Sequence, residues 1–544
     1  MVDFSVLQYK DVRLAMGAVI FNTTLVIAAW FGRAYWMHGI EAVVNKLQGQ
    51  AKRRKSNIYL SDNFAPIAKE TQAEDLEVVG RIPSDVEGVY ARTGPNPVLV
   101  PNGDYHWFDG DGMVHACRIK GSKASYSNRL VQTHRLKREV KQGFPLYLRF
   151  GDMRGFWGIW HAGLSQLRKK TGVIPAGLGE GTANTALVYH ANKLMSLHEG
   201  DLPYAIKVLC NGIVDTLGCV TFGGRVNHPF TAHPKVDPKT GELFFIGYEM
   251  DKKPACVWYA GLDKEGALKF DVKVPLQEGV MMHDMAITED YAILLDVPLV
   301  FRPEVMVTKN RLPLVYDKSR PARFGVIPKR PKSGKEVRWF ELDPVMIFHV
   351  ANSWQEGKDR EIIKLFACCF EEFDLDIGDQ DTSSKTLPHL REMTFNMITG
   401  EATSRQVADT VCDFPRVPLD LVGLKSTYAY AAVFSKVQGK FSGIAKFDLG
   451  AKNGGAVLGQ IEHGAERYGG EAVFVKGSGA GEDDGYLMTY VHDEKKGASE
   501  CVIYSAKTMS SEPLARVMLP QRVPYGFHGE FVTEAELASQ VSSL

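Results

Sequence analysis

Short apolar runs alternate with turn-forming residues along most of this 544-residue chain, from about residue 57 to the C-terminus. Asp237-Pro-Lys-Thr-Gly-Glu precedes the apolar run Leu243–Tyr248, and Ile398-Thr-Gly-Glu follows Met393–Met397. Further runs of the same kind are Ala267–Val272, Val337–Leu342, Tyr428–Phe434, Ile444–Asp448, Tyr486–Val491 and Val502–Ser505. Runs of four to eight residues between turns are typical of β-strands, so the pattern predicts a large all-β domain, either a sandwich or a propeller.

No linker interrupts this pattern between residues 57 and 544, which predicts one domain over that range. The strands carry no clean sequence repeat, so the sequence does not count propeller blades by periodicity. A single propeller is nevertheless the economical arrangement for so many short strands, because radial repetition leaves few exposed strand edges.

The N-terminal segment, residues 1–56, has a different character. Leu14–Phe31 has 14 apolar residues out of 18 and lies between Arg13 and Arg33. That length is at the lower limit for a membrane-spanning helix, so we expect an N-terminal hydrophobic helix that anchors the protein; a helix packed on the main domain and a cleaved signal are the alternatives. Ile40–Leu47, followed by the basic run 52–55, predicts an amphipathic helix at a membrane surface.

Phe144–Lys170 also breaks the strand pattern. It is rich in Phe, Trp and Leu and ends in a basic cluster, Arg168-Lys169-Lys170. Such a segment suits a helix that lies in a membrane surface, and equally a helix that caps the β domain. Both interpretations hold if the segment borders the mouth of a tunnel.

Charge and cysteine content narrow the function classes. Lys+Arg and Asp+Glu both number 64, so the formal net charge is zero, which argues against nucleic acid as a partner. A hydrophobic content of 45% with 24% charged residues is that of an ordinary globular protein. The eight cysteines contain no C-x-x-C, so neither a disulfide scaffold nor a zinc ribbon is expected, and a reducing compartment fits best.

Four of the 15 histidines stand in apolar, strand-like contexts. They are His233 in Phe230-Thr-Ala-His, His283 in Met281-Met-His-Asp, His349 in Ile347-Phe-His-Val and His528 in Tyr525-Gly-Phe-His-Gly. An unpaired buried imidazole costs desolvation energy, so these residues need partners. Their spacing matches no local zinc motif, and they could form a metal site only if the fold brings them together.

These four contexts resemble the carotenoid cleavage dioxygenase family. The resemblance extends from Asn63-Phe-Ala-Pro to Phe531-Val and includes Ala91-Arg-Thr-Gly-Pro-Asn-Pro and His106-Trp-Phe-Asp-Gly-Asp-Gly-Met-Val-His115. Three further motifs are most similar to the plant branch that cleaves 9,10 and 9′,10′ double bonds: Gly181-Thr-Ala-Asn-Thr-Ala-Leu-Val-Tyr-His190, Ala322-Arg-Phe-Gly-Val-Ile-Pro and Glu482-Asp-Asp-Gly-Tyr.

The resemblance implies a seven-bladed propeller with a helical dome over one Fe(II), bound by His233, His283, His349 and His528. Imidazole suits iron, zinc and copper alike, so the ligand type does not select the metal. Four ligands would close a tetrahedral zinc site, whereas an octahedral ion would keep two positions open for O₂ and substrate.

The resemblance also implies three carboxylates behind the histidines. They are Glu199, Asp413 and Glu471, which would accept hydrogen bonds from the imidazoles and fix their tautomers. Many relatives have Glu where this chain has Asp413. Since Asp is one methylene shorter, we expect either direct contact or a bridging water there.

Other candidate residues have simpler interpretations. His106 and His115 flank Asp109-Gly-Asp-Gly, which lacks the remaining ligands of a calcium loop and predicts a strand–turn–strand unit that closes the propeller. We interpret His198 and His228 as structural. Lys476-Gly-Ser-Gly-Ala-Gly lacks the ending of a phosphate-binding loop and predicts an ordinary loop.

We therefore expect a non-haem Fe(II) dioxygenase that cleaves a C=C bond of a carotenoid or apocarotenoid with O₂, at the 9,10 (9′,10′) position. The expected location is the cytoplasmic side of a membrane, with the plastid as the alternative. Rival functions are stilbene cleavage of the lignostilbene type, isomerisation or hydrolysis of a retinoid ester, and a non-catalytic propeller that binds lipid or protein. The sequence does not indicate the oligomeric state.

Overall fold

The computed structural model describes residues 32–43, 46, 57–101, 104–375, 386–437, 439–452 and 455–544. Within them the protein is mostly β. The first strands are β1 (Gln72–Ala73), β2 (Val78–Gly80), β3 (Gly88–Pro95), β4 (Gly112–Lys120), β5 (Lys123–Leu130), β6 (Ala186–His190), β7 (Lys193–Leu197), β8 (Tyr204–Val208), β9 (Val214–Cys219), β10 (Lys235–Val236), β11 (Leu243–Tyr248), β12 (Cys256–Leu262), β13 (Leu268–Pro275), β14 (Met285–Ile287), β15 (Tyr291–Asp296) and β16 (Leu299–Phe301).

The second half of the chain continues in the same way. Its strands are β17 (Leu314–Tyr316), β18 (Ala322–Pro328), β19 (Arg338–Leu342), β20 (Met346–Glu356), β21 (Ile362–Phe370), β22 (His389–Asn396), β23 (Ala402–Arg416), β24 (Tyr428–Phe434), β25 (Phe441–Asp448), β26 (Val457–Glu462), β27 (Arg467–Tyr468), β28 (Val473–Lys476), β29 (Gly485–Asp493), β30 (Ala498–Ser505), β31 (Ala515–Met518) and β32 (Gly529–Thr533).

The helices are few and short. They are α1 (His134–Gln142), α2 (Gly155–Lys170), α3 (Glu304–Thr308) and α4 (Glu534–Ser539), and residues 32–43 are also helical. The boundaries of α1 follow from its end residues. The side chain of Thr133 accepts a hydrogen bond from the backbone N–H of Leu136, and Gly143 ends the helix with φ of 80°, a conformation that glycine adopts without strain.

The strands form successive antiparallel sheets in which sequence neighbours usually pair. The sheet orders are β1-β5-β4-β3-β32, β6-β7-β8-β9, β10-β11-β12-β13, β14-β15-β18-β19, β20 to β26 in sequence, and β2-β31-β30-β29-β27 with β28 also on β29; β16 and β17 form a separate small pair.

One strand belongs to two groups. The first part of β23 pairs with β22, and its last residues, from Cys412 to Arg416, pair with β24. The sheet β20 to β26 is therefore two four-stranded groups that share β23. With the other five large sheets, the described residues contain seven groups of about four strands.

The N-terminal and C-terminal strands of the described chain pair in two sheets. β3 pairs with β32 from Gly88↔Thr533 to Arg92↔Gly529, and β2 pairs with β31 in another sheet. Strands from the two ends of the sequence are therefore joined by backbone hydrogen bonds.

The core lies between neighbouring sheets, which explains the apolar runs in the sequence. The strand β11 is buried at all six positions, and β20 at nine of eleven. A strand covered on both faces has no polar face and therefore does not alternate. The predicted strands Leu243–Tyr248 and Tyr428–Phe434 have the same bounds in the structure.

The predicted N-terminal anchor lies outside the described residues, because Leu14–Phe31 and the basic run 52–55 are not among them. Residues 40–43 of the predicted amphipathic helix are helical. In the part of the chain that the structure describes, no helix combines the length and apolar character that crossing a bilayer requires.

In the segment Phe144–Lys170 the α-helix begins only at Gly155, and a short 3-10 helix, Phe150–Asp152, precedes it. The prediction of one helix over the whole segment is therefore wrong for its first part. Gly158 and the side chains of His161, Leu164 and Arg168 are buried on one side of α2, and Phe156, Ile159 and Leu167 are exposed. The helix thus caps the β domain and also presents apolar side chains to its surroundings.

Candidate metal centre

Each of the four histidines lies in, or just before, a strand at one end of its sheet. His233 precedes β10, His283 precedes β14, His349 lies in β20, and His528 precedes β32. One ring nitrogen from each histidine lies within 4.8 Å of the others. The fold therefore brings together residues that are up to 295 positions apart, as the difference between 528 and 233 gives.

The imidazole rings are in mutual contact. Nε2 of His233 lies 3.0 Å from Nε2 of His283. The ring centroids of His233 are 4.5 Å from those of His283 and His528 and 5.2 Å from that of His349. His349 lies 5.4 Å from His283 and 4.7 Å from His528 by the same measure.

Three carboxylates accept from the Nδ1 atoms of three of these rings. Glu199 Oε2 lies 2.7 Å from Nδ1 of His283. Asp413 Oδ1 lies 2.9 Å from Nδ1 of His349, and Glu471 Oε1 lies 2.8 Å from Nδ1 of His528. Each bond places the proton on Nδ1 and leaves the lone pair of Nε2 directed away from the carboxylate.

His233 is held differently. Among the hydrogen bonds of the described residues, none joins its ring to a carboxylate. Its backbone N–H donates to Oγ1 of Thr231 at 3.1 Å, and the Thr231 hydroxyl donates to the carbonyl of His283 at 3.4 Å. Two neighbouring segments of the chain thereby fix the position of His233.

Asp413 reaches His349 directly, without a bridging water. The pairing of β23 with β24 is irregular between Asp413 and Arg416, and Phe414 has a φ of 54°, a left-handed conformation. This bend compensates for the shorter side chain. The same oxygen of Asp413 also accepts from the backbone N–H of Phe414 at 2.8 Å.

Burial and neighbouring charges set the protonation of the centre. Burial, reinforced by the other three histidines, holds the pKa of His233 well below its usual range. Burial also lowers the pKa of His528, to about 4, against the opposing effect of Glu471. For Glu471, burial would raise the pKa, but Arg416 and His528 outweigh it and lower it to about 2. At His283, by contrast, burial would lower the pKa, but Glu199 outweighs it and raises the pKa. The neutral imidazole that metal binding requires is thus favoured at His233 and His528.

The donor set fits a transition-metal ion. Two unprotonated Nε2 atoms only 3.0 Å apart repel each other unless a proton or a cation lies between them. That separation is also what two adjacent ligands at right angles give for metal–nitrogen bonds of ~2.1 Å. Imidazole selects iron, zinc, copper or nickel rather than magnesium or calcium. The arrangement is therefore a candidate site for one first-row metal.

A cavity of about 1090 Å³ reaches the histidines. His283, His349 and His528 form part of its wall, and most of the remaining wall is aromatic or aliphatic. The aromatic residues of the wall include Trp107, Phe108, Phe348, Phe370, Phe373 and Phe527. The cavity also includes Lys318, whose side chain is 63% exposed, so it opens to the surface there. An elongated apolar molecule can thus enter from outside and lie beside the metal site.

A second cavity, of about 350 Å³, meets His233, His349 and His528. Its wall carries the charged side chains of Lys235, Asp284, Arg416, Asp420, Glu471, Glu530 and Glu536. The candidate metal site therefore borders two cavities, and three of the four histidines line each of them.

The segment around His106 is structural. Asp109 accepts hydrogen bonds from the backbone N–H groups of His106, Phe150 and Gly151 at 2.5 to 2.9 Å. His115 lies in β4, where its Nδ1 is 2.7 Å from the hydroxyl of Tyr126. The strand–turn–strand prediction is modified, because a 3-10 helix, Trp107–Asp109, lies within the long connection from β3 to β4.

His198 and His228 lie apart from the four-histidine group. His228 contacts the carbonyl of Pro229 at 2.8 Å and stacks on Trp258 with centroids 5.0 Å apart. His198 lies in the wall of the larger cavity, where its Nδ1 accepts from the backbone N–H of Gly200.

Two charged residues at the site were missed by sequence reasoning. Arg416 pairs with Glu471, with Nε to Oε1 at 2.9 Å, and donates to the carbonyl of Gly529 at 2.5 Å. Asp284 follows His283 and is almost fully buried. Their positions in the sequence could have indicated them: Arg416 is three residues after Asp413, and Asp284 directly follows His283.

Comparisons with known proteins agree with this geometry. Residues 64–533 match the family described as RPE65, retinal pigment epithelial membrane protein. The chain is 45% identical over 498 residues to a carotenoid 9,10(9′,10′)-cleavage dioxygenase of Crocus sativus, a match that covers 89% of this chain and 90% of that protein. It is 36% identical over 489 residues to a chloroplastic 9-cis-epoxycarotenoid dioxygenase of Arabidopsis thaliana, with 89% and 83% covered.

The fold has solved counterparts as well. The crystal structure of a lignostilbene dioxygenase from Pseudomonas brassicacearum superposes with a TM-score of 0.75 at 25% identity, covering 88% of this chain and 98% of that one. The family match spans most of the chain, and the relative from Crocus sativus is 45% identical over 89% of this chain. The chain therefore belongs to the RPE65/carotenoid oxygenase family, as the sequence resemblance predicted.

Proposed function

We propose that this protein is a non-haem Fe(II) dioxygenase that cleaves a C=C double bond of carotenoids or apocarotenoids with O₂. The observation that carries the proposal is the position of three of the four imidazoles in the wall of a large apolar cavity. The two oxygen atoms enter the two products as aldehyde or ketone carbonyls, so no further reductant is required.

The ligands in this proposal are His233, His283, His349 and His528. A ferrous ion bound there would supply the redox chemistry that activates O₂. Glu199, Asp413 and Glu471 keep three of the imidazoles in the tautomer that presents Nε2. The aromatic wall excludes water and orients the polyene, and the double bond held beside the histidines is the one that reacts.

Cleavage at 9,10 (9′,10′) is the proposed regiochemistry. Its support is the 45% identity to the Crocus sativus enzyme, whose name states that position. The bond that is cleaved depends on how far the substrate enters the cavity, and hence on the aromatic residues that line it.

A closed seven-bladed propeller is the architecture we propose for residues 57–544, as one domain. The seven strand groups and the pairing of β3 with β32 support it. Neighbouring inner strands also contact each other, as β14 does with β20 and β28 with β32. The 3-10 helix Trp107–Asp109, whose Trp107 and Phe108 lie in the cavity wall, would belong to the dome over the metal.

A membrane surface is the proposed docking partner, since carotenoids reside in lipid. Tyr35, Trp36 and Phe156 are 57%, 65% and 64% exposed, and Ile159 of α2 is exposed as well. Arg154, the residue before α2, lies in the cavity wall, so the helix that carries Phe156 and Ile159 begins at this cavity. The cytoplasmic side is the expected location, and the chloroplastic relative supports the plastid alternative.

The activity is tested with the purified protein loaded with ferrous iron and incubated with β-carotene, apocarotenals and stilbenes. Mass spectrometry should detect carbonyl products of 9,10 cleavage, with ¹⁸O from labelled O₂ in the carbonyl groups. His283→Ala should abolish product formation, whereas His228→Ala should not. Absence of any cleavage product from the polyenes would refute the proposal.

Stilbene cleavage is the second candidate, because the cavity wall contains Tyr59, Tyr316 and Lys318, which could bind a phenol. Tyr316 already donates to the carbonyl of Glu371, and Lys318 pairs with Glu372. Products from stilbenes alone would favour this candidate. Retinoid ester turnover without O₂ consumption would indicate the isomerising or hydrolysing alternative, and a protein that retains no metal would indicate a binding scaffold.

Docking is tested by flotation with vesicles of neutral and anionic plant lipids. Phe156→Ser combined with Ile159→Ser should lower the bound fraction, and Ile398→Ser is the control. Ile398 is 71% exposed but lies in the turn between β22 and β23. Equal binding by all three proteins would exclude α2 from the docking surface, and a fluorescent fusion would identify the compartment.

A further inference from the structure

A buried carboxylate beside the histidines makes three contacts that the proposed chemistry does not use. Asp284 is 1% exposed and directly follows His283. Its Oδ1 lies 2.7 Å from Nζ of Lys235 and accepts from the backbone N–H of Met285 at 2.7 Å. Its Oδ2 accepts from the backbone N–H of Val350 at 2.8 Å.

The partners of Asp284 belong to the segments that carry the other histidines. Lys235 is two residues after His233, and Val350 is the residue after His349. Each of the three contacts therefore ends within two residues of a different metal-ligand candidate. Three of the four histidines are linked in this way through one side chain.

Backbone hydrogen bonds between strands do not connect the three segments that carry His233, His283 and His349, so another link between these segments is needed. The strands β10, β14 and β20 begin three different sheets, so no ladder of backbone hydrogen bonds runs between them. Side chains must then set the distances between His233, His283 and His349. A buried charged acceptor with three donors is well suited to this, since bonds to charged groups are the strong ones and moving any donor would leave it unsatisfied.

We propose that Asp284 is a positioning residue, which fixes the mutual distances of His233, His283 and His349 by joining Lys235, Met285 and Val350. It differs from Glu199, Asp413 and Glu471, each of which contacts the ring of one histidine and sets its tautomer. Asp284 contacts no imidazole ring among the described contacts and acts on the backbone that carries the rings. The proposal rests on the metal centre proposed above.

His528 is positioned by a separate contact. Arg416 pairs with Glu471 and donates to the carbonyl of Gly529, the residue after His528. The fourth ligand is thus tied to β23, independently of Asp284. Loss of Asp284 should therefore disturb three ligands while the fourth keeps its place.

The test measures the metal rather than turnover. Wild-type and Asp284→Ala proteins are loaded anaerobically with Co²⁺, whose d–d absorption reports coordination geometry, and Fe²⁺ loss to a chelator is timed. Asp284→Ala should shift the absorption and lower metal affinity about 10- to 100-fold, as for other residues that orient ligands. Asp284→Asn, which keeps the shape and one accepting oxygen, should give an intermediate effect.

The matched control is Asp237→Ala. Asp237 is also buried and pairs with Nζ of Lys329 at 2.6 Å. It joins two of the same three sheets, those of β10 and β14, because Lys329 follows β18 and donates to the carbonyl of Thr288 after β14. In the contacts that the structure describes, Asp237 touches none of the four histidines. Asp237→Ala should lower the melting temperature and leave the Co²⁺ spectrum and metal retention unchanged. Equal spectra and equal metal retention in Asp284→Ala and Asp237→Ala would overturn the proposal.

A second variant covers the case in which Asp284→Ala does not fold. Lys235→Met removes one of the three contacts at a side chain that is 17% exposed. It should shift the Co²⁺ absorption and speed metal loss, and an unchanged spectrum and rate would overturn the proposal. Failure of the wild-type protein to bind metal would instead refute the metal centre itself.

Discussion

Asp413 lies directly behind His349, with 2.9 Å between Oδ1 and Nδ1, although its side chain is one methylene shorter than glutamate. The left-handed Phe414 and the irregular pairing of β23 with β24 make this contact possible. The ring of Phe414 in turn packs on His349 and His528, with centroids 4.8 and 5.0 Å away. The local bend at Phe414 thus lets Asp413 orient the ring of His349. It also places the Phe414 ring against both His349 and His528.

The Asp413 contact predicts a graded response to substitution. Asp413→Ala should lower metal affinity and activity about 10- to 100-fold, because His349 loses the acceptor that fixes its tautomer. Asp413→Asn keeps an accepting oxygen and should retain more of both. The exposed Asp409 on the same strand gives the control, Asp409→Ala, which should behave as wild type. Metal titration and product formation measure these effects, and an Asp413→Ala protein with wild-type affinity would contradict the assignment.

Metal removal should destabilise the fold. An ion bound only by the native state stabilises it by about 2.7 kcal/mol at a concentration 100 times its Kd. Anaerobic Fe²⁺ should therefore raise the Tm of chelator-treated protein, and His349→Ala should abolish that rise. His228→Ala removes another buried imidazole and should lower the starting Tm while keeping the response. A metal-induced rise in His349→Ala equal to that of wild type would count against the four-histidine site.

The aromatic cavity wall should control orientation rather than metal binding. Phe348 lies with its ring centroid 5.2 Å from that of His283 and faces the larger cavity. Phe348→Ala widens the space beside the ligands, so kcat/KM should fall and products of neighbouring bonds should appear. Metal content should stay at the wild-type level. Unchanged product ratios would show that Phe348 does not hold the polyene.

The contact between the N-terminal helix and α2 should depend on pH. Glu41 is buried and lies 2.8 Å from Nη2 of Arg168 and 3.2 Å from Nδ1 of His161. Burial would raise the pKa of Glu41, but His161, His38 and Arg168 outweigh it and hold the pKa well below its usual 4.5. A carboxyl with a lowered pKa stabilises the folded contact above its ordinary pKa, and that contribution disappears as the pH falls.

Hydrogen exchange of residues 32–43 measures this effect. Protection in wild type should exceed that in Glu41→Gln by a constant factor between pH 6 and 7.5. Below pH 4.5 the factor should shrink about tenfold per pH unit, the equivalent of about 1.4 kcal/mol. The exposed Glu74→Gln serves as the control. A factor that stays constant down to pH 3.5 would contradict the buried ion pair.

Local patterns predicted the strands well. The runs Leu243–Tyr248 and Tyr428–Phe434 are strands with those bounds, because an apolar run between turns has few other stable forms in a buried sheet. The double role of β23 was not predictable, since its 15 residues carry no signal at the point where the pairing passes from β22 to β24. That point is set by tertiary packing.

The candidate site was predicted from the resemblance to a protein family and not from the spacing of the residues along the chain. Spacing alone gave no reason for His233 and His528 to meet, because they precede strands of two different sheets, β10 and β32. The three carboxylates also came from resemblance. Asp284 and Arg416 were missed, since a buried charge reveals its partners only in three dimensions, and Lys235 and Val350 are distant from Asp284 in sequence.

The pairing of β3 with β32 has a consequence for biogenesis. His528 directly precedes β32, so the strand that pairs with β3 also follows the last of the four candidate ligands. While the polypeptide is still being synthesised, the four imidazoles can meet only after translation reaches this strand. A nonsense mutation shortly before codon 528 would thus remove both the partner of β3 and one candidate metal ligand in a single event.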